Sequence, residues 1–159
     1  MSDVRRAVCL LAHGGPEAVA VQSIAAPPPR RSDKTIVRMR AGGLNRVDLY
    51  MRESGAGITH RLPMIMGLDG ADVVEAPADG SRFKAGDPVI VYPLRACGAC
   101  EFCRRGDGPL CVLASYMSEH EDGLLAEQGR IPDANLFVKP ICLSRARRRS
   151  ASLGSRLRA

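Results

Sequence analysis

Cys97, Cys100, Cys103 and Cys111 follow one another as C-x2-C-x2-C-x7-C, four of the chain's six cysteines in the single stretch CGACEFCRRGDGPLC. Two-residue gaps let successive thiolates converge on one ion once a turn at Gly98 or Glu101 brings the side chains to one side. Four sulfurs with no neighbouring histidine suit tetrahedral zinc. Such a site is closed: protein fills every coordination position, so no bound water is activated and the ion staples a loop. Two other chemistries use the same residue type. A [4Fe–4S] cluster begins with the same C-x2-C-x2-C run, but there the next gap is short and followed by Pro, whereas here seven residues intervene. A redox dithiol needs only one C-x2-C pair. Cys9 sits in an apolar run and reads as a small buried hydrophobe, and Cys142 stands apart from the cluster.

The surrounding chain favours the metal over disulfides. At 159 residues with an apolar fraction of 45% it has the size and composition of one ordinary domain with a real core. No apolar run approaches the roughly 18 to 20 residues that span a bilayer, and the N-terminal apolar segment is too short for a secretory signal. The expected setting is the cytoplasm, where thiols stay reduced.

The elements that must carry this cluster read mostly as short strands between turn residues. RAVCLLA (6–12), EAVAVQSIA (17–25) and KTIVRMRAG (34–42) are strand candidates, the last alternating so that Ile36 points opposite to Val37. ADVVEA (71–76), DPVIVYP (87–93), GLLAEQGRIP (123–132) and NLFVKP (135–140) follow. NRVDLYMRES (45–54) is the one convincing helix, with Val47, Tyr50 and Met51 at helical spacing and Asn45 with Asp48 as an N-terminal cap pair. The expected class is mostly β with short helices, a barrel-type domain over residues 1–140 with the metal lobe at 97–111.

The net charge of +6 is misleading as a sign of nucleic-acid binding. Arg145, Arg147, Arg148, Arg149, Arg156 and Arg158 lie in residues 141–159, which hold no acid, and without them bases and acids are equal in number. This tail is expected to be a disordered, solvated end.

Several motifs, taken together, resemble the medium-chain, zinc-type alcohol dehydrogenase and quinone oxidoreductase superfamily. They are HGGPE (13–17), VRMRAGGLNRVDLYMR (37–52), LPMIMGLDGADVVEA (62–76), FKAGDPVIVYP (83–93), the four-cysteine lobe and NLFVKP (135–140). The resemblance covers roughly residues 5 to 140. It implies a GroES-like β-rich domain with a structural zinc lobe, a small-molecule substrate and a nicotinamide cofactor, NAD or NADP.

Departures from that pattern qualify the expectation. Zinc-dependent members carry a Cys where this chain has Asn45, and a His-Glu pair where it has Leu68 and Asp69, so a catalytic zinc is not expected. Asn45 is similar to the zinc-independent quinone oxidoreductase branch, where an amide can bond a substrate carbonyl or the cofactor's ribose. Asn45, Asp48 and Asp69 are therefore the cleft candidates, none of them assigned a catalytic role. A doubly wound nucleotide-binding Rossmann unit is not found; GAGITH (55–60) lacks the third glycine and opens no βαβ unit. The Arg-rich tail stands where that unit begins in the family, which points to a shifted or truncated reading frame near Ile141 and to a chain inactive alone. His13, His60 and His120 are scattered and read as ordinary surface or turn residues, and EHED (119–122) as a solvated acidic turn.

Two functions stay in view. One is the substrate-cleft domain of an NAD(P)-dependent oxidoreductase with structural zinc, prone to homo-oligomer formation or other association through exposed cleft surface. The other is a zinc-stapled binding module whose basic tail contacts nucleic acid or an acidic partner. With three Tyr, three Phe and no Trp there are few stacking platforms for nucleic acid, which favours the first.

Overall fold

A computed structural model describes residues 4–27 and 34–140; the Arg-rich tail and Cys142 lie outside the described residues. In chain order the elements are β1 (Val4–Leu10), β2 (Val19–Ala25), β3 (Lys34–Gly43), α1 (Arg46–Ser54), β4 (Met64–Ile65), β5 (Asp69–Ala76), β6 (Pro88–Val91), β7 (Leu94–Arg95), α2 (Glu101–Arg104), β8 (Ser115–Tyr116), β9 (Gln128–Pro132) and β10 (Leu136–Val138), with single 3-10 turns between some of them. The expected mostly-β class with short helices is what forms. Among the described residues there is no doubly wound sheet, and no helix is long and apolar enough to cross a membrane.

Every paired strand is antiparallel. A five-stranded sheet runs β10-β6-β5-β3-β9, a three-stranded sheet β2-β1-β4, and β7 pairs with β8 beside the cysteine lobe. The segment 123–127 joins the two larger sheets: Val8 N–H of β1 donates to Leu125 O and Gly123 N–H donates to Ile65 O of β4, while Met39 N–H of β3 donates to Glu127 O. These bridges account for a difference from the sequence expectation. Residues 123–127 serve both sheets, and only Gln128–Pro132 of the expected 123–132 strand pairs regularly.

The main core lies on the five-stranded sheet, where Val37, Val74, Val89, Leu124 and Leu136 are buried together. A second cluster of Leu10, Met51, Met64 and Met66 seats α1 against β1 and β4. The alternation expected of β3 fails at Ile36 and Val37, which are both buried. A bulge between them in the β3–β5 pairing turns both side chains inward. On α1 the buried positions are Asp48 and Met51, while Tyr50 is half exposed, so the helix faces the core with an acid where the apolar pattern pointed to an aromatic.

Candidate functional site

The lobe begins where Arg95 leaves β7. Asn135 fixes that departure: its buried Nδ2 donates to both Tyr92 O and Leu94 O at 2.7 Å. Arg95 pairs with Glu121 at 2.5 Å, and Ser115 Oγ donates to the other Glu121 oxygen at 3.0 Å. Beyond this anchor Gly98 takes φ +73, a left-handed turn that side-chain-bearing residues avoid, and reverses the chain between the first two cysteines. The one-turn helix α2 then starts at Cys100, with Arg104 N–H donating to Cys100 O, and this places Cys100 and Cys103 on neighbouring positions of one turn.

The result is one cluster. The Sγ atoms of Cys97, Cys100, Cys103 and Cys111 all lie within 4.8 Å of one another. Cys97 and Cys103 sulfurs are 3.8 Å apart and those of Cys100 and Cys103 3.5 Å. Four sulfurs at about 2.3 Å from a tetrahedral zinc stand roughly 3.8 Å from one another, and the sulfurs here lie near that spacing.

Backbone amides aim at these sulfurs. Ala99 and Cys100 N–H donate to Cys97 Sγ, and Cys97 and Leu113 N–H donate to Cys111 Sγ, at 3.3 to 3.4 Å. Such donors favour the thiolate, the form that binds metal. They hold the Cys97 thiol below its ordinary range, and a backbone bond from Cys103 brings Cys100 down to about 6. Cys103 goes the other way, pushed up to about 12 by desolvation and by its crowding against the other sulfurs. Four negative charges within 4.8 Å of one another need a cation to coexist.

The cleft candidates divide. Asn45 caps α1, its side chain accepting from Arg46 N–H at 2.7 Å, and Asp48 returns the bond to Asn45 N–H at 2.8 Å, the expected capping box. Asp48 is 2% exposed, and its second oxygen accepts from Gly67 N–H and Ser118 Oγ, both at 3.0 Å. Asn45 and Asp48 border a largely apolar groove of about 570 Å³ that also takes in Leu44, Leu49 and Met66. Asp69 is exposed at the start of β5, opposite Gly43, and does not line this groove. Leu68 presents no donor atom.

The histidines require a correction. His13 and His60, read as scattered, come together with their Nε2 atoms 3.2 Å apart. Only His120 stands alone, accepting Tyr116 N–H at its Nδ1. The acidic turn is engaged as well as solvated: Glu121 holds Arg95, and Asp122 accepts Ile65 N–H. Sequence reasoning also missed Ser118, a buried residue at φ +66 whose hydroxyl reaches Asp48 across 70 positions. No local pattern marks it.

The family model for the alcohol dehydrogenase GroES-like domain matches residues 31–141. Among curated proteins, a quinone oxidoreductase of Rattus norvegicus is 33% identical over 103 residues, which is 64% of this chain and 31% of the relative. Alcohol dehydrogenase 1 of Emericella nidulans is 33% identical over 112 residues, 69% of this chain and 31% of the relative. Among solved structures, an NAD-dependent alcohol dehydrogenase superposes with a TM-score of 0.79 at 38% identity, covering 85% of this chain and 39% of that one. The alcohol dehydrogenase of Aeropyrum pernix gives 0.76 at 25% identity, covering 85% and 40%. The chain thus spans about a third of the length of the curated relatives it matches.

Proposed function

The chain belongs to the alcohol dehydrogenase GroES-like domain family, and on that premise we propose that it is the substrate-cleft domain of a zinc-containing, NAD(P)-dependent dehydrogenase or quinone oxidoreductase. Cys97, Cys100, Cys103 and Cys111 hold one structural zinc. The observation that carries this reading is the convergence of the four sulfurs within 4.8 Å, at tetrahedral spacing, in a domain of this family. With all four positions taken by protein, the ion acts on the fold of the lobe and not on a substrate. Clustered free thiols, with Cys97 exposed and Cys100 and Cys103 half-buried, suit a reducing compartment, and the cytoplasm is the proposed setting.

A nicotinamide cofactor, when bound by such an enzyme, supplies or accepts the hydride. The chain's own contribution is the groove. Leu44, Leu49 and Met66 make it apolar, a surface on which the hydrocarbon part of a small ketone, aldehyde, alcohol or quinone can lie. Asn45 uses its Oδ1 on the helix cap, so its Nδ2 is the donor available to a substrate oxygen at the groove's rim. Asn45 and Leu68 provide neither thiolate nor imidazole, so the orienting force here is a hydrogen bond and not a metal.

The test is metal and cofactor measured on one tag-free sample passed over a mild chelating resin. One retained zinc per chain, absent from Cys103→Ser protein, is the expected result, together with no saturable NADH or NADPH binding by these 159 residues. Loss of all zinc on the resin, or iron and sulfide in its place, would overturn the structural-zinc assignment.

A further inference from the structure

His13 lies in the loop after β1 and His60 in the turn region after α1, and their rings cross at 78° with centroids 5.0 Å apart. Each Nδ1 faces a backbone carbonyl: His13 Nδ1 is 3.0 Å from Met51 O, and His60 Nδ1 is 2.5 Å from Ile58 O. A carbonyl oxygen only accepts, so both Nδ1 atoms carry the hydrogen, and in neutral imidazoles both Nε2 atoms then present bare lone pairs. Those two lone-pair atoms are the ones 3.2 Å apart. Two acceptors at that distance repel unless a positive centre lies between them.

We propose that His13 and His60 form a second divalent-cation site, of the borderline class that imidazole prefers, Cu2+, Zn2+ or Ni2+, with water completing the coordination. Two imidazole nitrogens at about 2.0 to 2.1 Å from a tetrahedral ion stand roughly 3.3 Å apart, close to the separation found. The carbonyl-bound Nδ1–H groups are the supporting bonds that fix the tautomer and orientation of metal-ligating histidines.

The backbone beside the rings favours a cation, and the nearby cation of the same helix turn, Arg52, is paired with Glu53. The loop carrying His13 docks on the C-terminal end of α1, where His13 meets Met51 O and Gly14 N–H donates to Arg52 O at 2.8 Å. That end of a helix carries the negative pole of its dipole. Gly55, which ends α1 at φ +72, leaves the space the rings occupy: a Cβ there would sit 2.3 Å from His60 Cε1 and 3.1 Å from His13 Cε1. The site shares no donor with the cysteine lobe. With only two protein ligands and an exposed His13 it is open and labile, and its occupancy staples the β1 loop to the helix end.

The test loads the thiolate lobe of tag-free full-length protein with Cd2+, removes the excess, and titrates Ni2+ while observing the ring signals of 13C-labelled histidine. Selective, saturable broadening of the His13 and His60 signals at one equivalent, with His120 unaffected, is expected. This readout uses the unaltered protein and does not depend on any variant folding. His13→Gln and His60→Gln should each weaken Ni2+ at least about 10-fold, since losing a ligand costs no less than losing a ligand's supporting bond. His120→Gln should leave the affinity unchanged. Equal broadening of all three histidines, absence of saturation, or unchanged affinity in the His13→Gln/His60→Gln double variant would overturn the site.

Discussion

Ser118 Oγ donates to Asp48 Oδ1 at 3.0 Å, both groups fully enclosed, so a residue beyond the cysteine lobe is tied to the first turn of α1. The same carboxylate takes Gly67 N–H and Asn45 N–H. One side chain thereby joins the helix cap, the approach to β5 and the loop that leads from the lobe back into the sheets.

That arrangement predicts a large asymmetry between its two members. Asp48→Ala strands three buried or partly buried donors at once and should cost about 3 kcal/mol or more. Ser118→Ala removes one donor and leaves the carboxylate its two amide bonds, for about 1 kcal/mol. Urea unfolding of both variants at one pH checks this, and equal losses would mean that Asp48 acts only through Ser118.

Asp72 should make stability depend on pH in the sense opposite to most carboxylates. It is 2% exposed, one oxygen accepts at 3.2 Å the Arg40 N–H left unpaired by a second irregularity of the β3–β5 pairing, between Met39 and Ala41, and the other has no partner. Burial raises its pKa from 3.8 to about 7 against the smaller opposing effects of the Arg40 bond and Lys139. Between those values the folded chain holds a proton that the unfolded chain has released. Stability is therefore full below the unfolded pKa and falls as pH rises toward about 7, by at most about 4 kcal/mol, with no further loss above it. Asp72→Asn mimics the protonated acid and should flatten the profile, gaining on the parent at pH 8. Chemical unfolding of both proteins from pH 5 to pH 8 provides the comparison.

What could be read from the sequence was local. The four cysteines span fifteen positions and the Asn45–Asp48 box spans four, so spacing alone implied their convergence. Asp48 with Ser118 and His13 with His60 are separated by 70 and 47 positions, and only the folded sheets bring them together. Ile36 and Val37 failed for a related reason: their facing is set by a bulge in the pairing with β5, which an alternating pattern within one strand does not encode. The β-rich class was readable because it rests on many short segments, each bounded by its own turn residues.

Metal removal should act on the lobe and spare the sheets. The sulfur-directed amides of Ala99, Cys100 and Leu113 lose their anionic acceptors once the thiolates protonate. The sheet core of Val37, Val74 and Val89 contains no residue of the lobe. Treatment with a strong chelator is expected to lower hydrogen-exchange protection across 97–111 by at least about 10-fold while amides of β3 and β5 keep theirs, the behaviour of a locally opening unit. Simultaneous loss in both regions would show that the lobe and the sheets unfold as one.

Gly55→Ala tests the helix end from the backbone outward. The residue sits at φ +72, where a Cβ alone costs about 1 kcal/mol, and the added methyl would also fall 2.3 Å from His60 Cε1. The turn can relieve that contact by moving His60 away from His13, or by unwinding the last turn of α1 that Gly55 N–H caps at Met51 O. Either way two effects should appear together: a fall in unfolding free energy of about 1 to 3 kcal/mol and a weakened Ni2+ response at the histidine pair. If stability drops while the Ni2+ response is untouched, then the rings do not depend on the space over Gly55, and the packing argument for the second site fails even though its lone-pair argument stands.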